Sequence, residues 1–129
     1  MKTLKTFLLS LTLAAAAVTG NAQTLSKQSI DGYVAALQSG NAGAAESAMM
    51  IVSKLKIANP ELNVSKFEKE IQTMIASDKR MRNKYKLFLT AYILENPKRL
   101  QDISFENCDT CNHFFQKAAM KINQDLAGL

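Results

Sequence analysis

Two cysteines and one histidine fall within six residues, Cys108-Asp109-Thr110-Cys111-Asn112-His113, and the chain has no others. Thiol chemistry and soft-ligand chemistry therefore concentrate in this stretch. It runs directly into Phe114-Phe115-Gln116-Lys117-Ala118-Ala119-Met120-Lys121-Ile122, which reads as an amphipathic helix. A helix entrance favours negative charge, and a thiolate there is stabilised. Residues at i and i+3 share one face of a helical turn, so on such a turn the two sulfurs can meet. The pair is expected to close as a structural disulfide, a short-loop staple contributing about 2 kcal/mol.

The alternative is a periplasmic thiol–disulfide redox or metal-handling protein, with Cys108 as the attacking thiol and Cys111 as the resolving one. Glu106 and Asp109 flank Cys108 and oppose a thiolate. A thioredoxin-like enzyme also needs strands that the pattern lacks. A metal set of Cys108, Cys111 and His113 falls short of the four ligands of a closed zinc site. Haem attachment requires histidine directly after the second cysteine, and Asn112 stands there. No cofactor is expected.

A second stretch, Lys79-Arg80-Met81-Arg82-Asn83-Lys84-Tyr85-Lys86, carries five cations in eight residues. Lys79, Arg80, Arg82, Lys84 and Lys86 form a candidate patch for an anionic partner. An ordinary solvated helix face is the plainer reading of the same residues. No paired-carboxylate motif, glycine-rich phosphate loop or serine elbow is present. With a single histidine there is one possible imidazole base, so a binding role is expected and not an enzyme.

The elements that would position these residues all carry helical spacing. A first helix from about Ser26 places Ile30, Tyr33 or Val34, and Leu37 on one face. Gly40 suits a left-handed cap, and Asn41 suits the N-cap of a second helix with Ala45, Ala48, Met49, Val52 and Leu55 inward. Asn59-Pro60 ends it. Ser65 and Glu68 have capping-box spacing for a third helix that buries Phe67, Ile71, Met74 and Ile75. The fourth helix has Met81, Tyr85, Phe88, Leu89 and Tyr92 as its stripe, and Asn96-Pro97 stops it. Pro97 opens a short helix through Leu100 to Ile103. The last helix is expected from about Asn107 to Leu126, with Cys111, Phe114 or Phe115, Ala118, Ile122 and Leu126 inward. The fold class is all-α: one small bundle of four to five helices, mostly antiparallel neighbours.

The first residues read as a processing signal. Lys2 and Lys5 form a basic head, Phe7 to Val18 is an apolar run, and Gly20 and Ala22 sit at the −3 and −1 positions of a cut after Ala22. Residues 1–22 are expected to be a cleaved secretory signal peptide, and 23–129 a single helical domain. The protein would then be exported, periplasmic or extracellular. Losing Lys2 and Lys5 lowers the net charge from +5 to +3, a mild excess that does not suggest nucleic acid. No later stretch is apolar for the roughly 20 residues that a membrane span needs. The reading that results is an exported small helical binding or interaction module, its partner an unknown protein or anionic species. The oligomeric state is not legible.

Overall fold

The computed structural model describes residues 22–77, 81–105 and 110–128. These form five α-helices and one short 3-10 turn, with no strand among the described residues. The helices are α1 (Ala22–Gln38), α2 (Ala42–Ala58), α3 (Ser65–Ser77), α4 (Met81–Glu95) and α5 (Cys111–Ala127); the 3-10 turn spans Pro97–Leu100.

Helix α1 packs on α2 and α3, and α4 packs on the same two, so four helices close a ring in the order α1, α2, α4, α3. Helix α5 lies on the α2–α4 side of that ring, and the 3-10 turn also touches α2 and α4. The all-helical bundle read from the periodicity is what forms.

Local chemistry sets the joints. Gly40 adopts φ 77°, the left-handed conformation that a side chain disfavours, and lets the chain reverse after α1. Asn41 then caps α2, its side-chain oxygen accepting the Ala44 N–H at 3.1 Å. Helix α3 starts differently from the expected capping box. The Ser65 hydroxyl donates to Asn63 Oδ1 at 2.8 Å, and the Glu68 N–H bonds the Val64 carbonyl. Asn63 also accepts the Ser65 N–H, so an asparagine turn before the helix replaces the serine cap.

The core contains Val52, Phe67, Ile71, Leu87, Ile93, Leu100, Phe114 and Phe115, all shielded from solvent. Phe114 and Phe115 meet edge to face, with centroids 5.2 Å apart, and Phe105 covers Phe114 at 4.7 Å. On α2 the inward face passes through Ala48, Met49, Val52, Ser53 and Ile57, which leaves Leu55 on the outside.

The largest departure lies in α4. The expected inward stripe of Tyr85 and Phe88 faces solvent, with 53% and 56% of their surface exposed. Leu87, Thr90, Ile93 and Leu94 are buried in their place, while Leu89 and Tyr92 pack at the margin. On α5, Leu126 likewise turns outward.

Candidate functional site

Helix α5 begins at Cys111, later than the expected Asn107. Thr110 is its N-cap, extended at φ −110° and ψ 149°, and its Oγ1 accepts the His113 N–H at 3.2 Å. Glu106, Asn107, Cys108 and Asp109 lie outside the described residues. The expected Cys108–Cys111 disulfide is not formed: Cys111 is a free cysteine. Sulfurs at i and i+3 share a face only on a helical turn, here one through residues 108–111. An extended Thr110 breaks that turn one residue before Cys111.

That geometry overturns the reading of the chain as an exported binding module built on a Cys-x-x-Cys bridge. The redox and metal-handling alternative falls with it, since Cys111 is a free thiol with no second sulfur beside it among the described residues. Cys111 is half-buried against the core, its Sγ 3.9 Å from the Ser47 hydroxyl of α2. His113 is exposed, about 200° around the helix from Cys111. The two side chains diverge. Among the described residues no group of three His, Cys, Asp or Glu side chains is placed to hold a metal.

The five cations of the basic stretch do not share one environment. Lys86 turns inward, where its Nζ lies 2.9 Å from Glu46 Oε1 of α2 and donates to Asn112 Oδ1 of α5 at 2.8 Å. The same ammonium stands 5.8 Å from the Phe115 ring centre. Lys86 therefore joins α2, α4 and α5 and is unavailable to a partner. Lys84 is half-buried, and Lys79 and Arg80 lie outside the described residues, as does the Arg82 side chain.

Beside these residues α4 presents Tyr85 and Phe88 to water. They lie roughly 60° apart around the helix, with Tyr92 between them and one turn further on. Two exposed aromatics on an outward helix face, beside a Tyr92 that packs at the core margin, are not explained by packing.

A second feature was not legible as a site. Helices α2 and α4 both end at Asn-Pro, and the two stops lie at one cleft of about 400 Å³. Its walls include Lys56, Glu61, Glu95, Asn96, Lys98 and Arg99, with Pro60, Leu94 and Pro97 as the apolar part. Nearby on α3, burial holds the Glu68 carboxyl above the usual range, opposed by the charge of Lys56 and assisted by that of Glu95. The available signal was the repeated Asn-Pro pair, whose members the sequence marks only as helix ends.

No protein-family model, curated protein or solved structure matches this chain.

Proposed function

We propose that the protein is a peripheral surface-binding protein that lays α4 against an anionic lipid surface. The observation that carries this reading is the solvent-facing pair Tyr85 and Phe88, at the C-terminal end of the cationic stretch. Aromatic side chains at a water–lipid boundary bury their rings while a tyrosine hydroxyl stays wet. Lysine and arginine beside them add about 1 kcal/mol each against an anionic leaflet. With Lys86 occupied inside the fold, Lys79, Arg80, Arg82 and Lys84 are the cations of this reading.

A flat partner suits a convex helix ridge better than a peptide does, since peptides are held in grooves. A second copy of the chain is disfavoured by size. Two half-exposed aromatics offer roughly 100 Å² each, far below the ~800 Å² per partner of a stable interface. None of the described helices is long and apolar enough to cross a membrane, so attachment would be from one side.

Export is a separate proposal: residues 1–22 act as a signal peptide cut after Ala22. The basic head, apolar run and small residues support it. The first described core side chain is Ile30, so a cut there leaves every described core residue on the mature chain. Intact mass of the protein recovered outside the producing cells should begin at Gln23; an uncut chain retained inside would end the proposal.

Co-sedimentation with vesicles tests the surface reading. Vesicles containing phosphatidylglycerol should carry the protein down in low salt and release it as salt rises. Vesicles of phosphatidylcholine alone should not. Changing Lys79, Arg80, Arg82 and Lys84 to glutamine, or Tyr85 and Phe88 to serine, should each weaken binding at least tenfold with the helical circular dichroism unchanged. Equal binding by either variant, or no binding to anionic vesicles, removes the lipid reading; retention on an acidic protein resin alone would assign the face to a protein.

A further inference from the structure

The cleft between the two Asn-Pro stops is separate from the α4 ridge and has a chemistry of its own. We propose that it binds a small zwitterion of the size of a free α-amino acid.

Its volume of about 400 Å³ lies within the range of small-molecule sites, roughly 300–1,000 Å³. Part of its wall is rigid: Pro97 and Leu94 are buried, and Pro60 is fixed by its own ring. Two of the polar groups are held in place. The Asn96 side-chain amide donates to the Tyr92 carbonyl at 3.1 Å, which leaves its Oδ1 as an oriented acceptor. Lys56 Nζ donates to the Leu62 carbonyl at 2.6 Å, and an ammonium has further protons to give.

The charges decide the ligand class. Lys56, Lys98 and Arg99 face the same space as Glu61 and Glu95, yet none of the five is in an ion pair among the described residues. Elsewhere in the molecule Lys66, Lys86 and Lys121 each hold a carboxylate within 3.2 Å. Unpaired opposite charges lining one concavity suit a molecule that carries both signs. A simple anion would meet Glu61 and Glu95, and a simple cation would meet three cations.

In a zwitterion the carboxylate lies against the Arg99 guanidinium, whose donors can engage both oxygens, with Lys98 beside it. The ammonium lies against Glu95 and Glu61, with Asn96 Oδ1 as a neutral acceptor. Glu68 stands within the electrostatic reach of both Lys56 and Glu95 and brings the local carboxylates to three, matching the three cations.

Amide chemical shifts of the isotope-labelled full chain, titrated with L-alanine, test this directly. Saturable shifts should appear at Lys56, Glu95, Asn96, Lys98 and Arg99. N-acetyl-L-alanine lacks the ammonium and L-alaninamide lacks the carboxylate, and each should bind at least tenfold more weakly. Arg99→Gln and Glu95→Gln change exposed side chains; each should weaken L-alanine binding at least tenfold while leaving the unfolding midpoint in place. The proposal is overturned if L-alanine gives no saturation up to about 10 mM, well above a millimolar dissociation constant. It is also overturned if either capped analogue, or inorganic phosphate, binds as well as L-alanine, or if the shifts map elsewhere.

Discussion

Lys86 belongs to a run of cations, yet its ammonium is held between three helices by Glu46 and Asn112. Its side chain is 17% exposed and that of Glu46 is 28%, so solvent screens this pair less than it screens a surface bridge. Lys86→Gln leaves Glu46 partly desolvated without a counter-charge. The expected loss is about 1–2 kcal/mol in urea unfolding. Lys66→Gln removes a bridge to Asp31 whose two side chains are 70% and 60% exposed, and should leave the unfolding midpoint where it is. Equal effects of the two changes would mean that the inward position of Lys86 contributes nothing. Cys111 gives the same lesson with the opposite sign. Its spacing suggests half of a bridge, and its sulfur instead sits as a free thiol beside the Ser47 hydroxyl.

Helix α4 is apolar on two sides. One stripe runs through Tyr85, Phe88 and Tyr92, and the other through Leu87, Thr90, Ile93 and Leu94. Periodicity marks both, and the residues of either stripe recur at steps of three and four. The stripe of Leu87, Thr90, Ile93 and Leu94 enters the core because it interlocks with α2, α3 and α5, while the Tyr85 hydroxyl tolerates the outside. Leu87→Ala should therefore cost about 3 kcal/mol, in the range of a buried leucine truncation. Phe88→Ser should change stability by less than about 0.5 kcal/mol and act on vesicle binding instead. Denaturant melts of the two variants separate these outcomes; a larger loss for Phe88→Ser would return the aromatic stripe to the core. At the joints the residue types were more legible, because Gly40, Asn41, Pro60 and Pro97 act on the backbone within one or two residues.

For the whole molecule, stability rests on the ring of four helices with α5 laid on it, and on no cross-link involving Cys111. Millimolar reductant should leave the thermal and urea midpoints unchanged, since it has no bond to break there. A midpoint that falls on reduction would mean that a disulfide holds the fold after all. The two proposed binding regions also follow from assembly. Tyr85 and Phe88 face out because α4 turns Leu87, Ile93 and Leu94 into the ring, and the cleft exists because the ends of α2 and α4 meet beside the 3-10 turn.

The all-helical class, most of the helix joints and the inward faces of α1 and α3 are legible in the residues alone. Those depend on backbone preferences and on stripes with one clear apolar side. Packing between helices fixes which side of α4 is buried, where α5 starts, which lysine becomes internal, and that two distant Asn-Pro pairs share a cleft. Each of these depends on what a neighbouring helix offers: a partner for Lys86, a surface for Leu87, a hydroxyl for Cys111. A linear pattern carries the spacing of side chains along one helix, and the fold is needed to say what faces them.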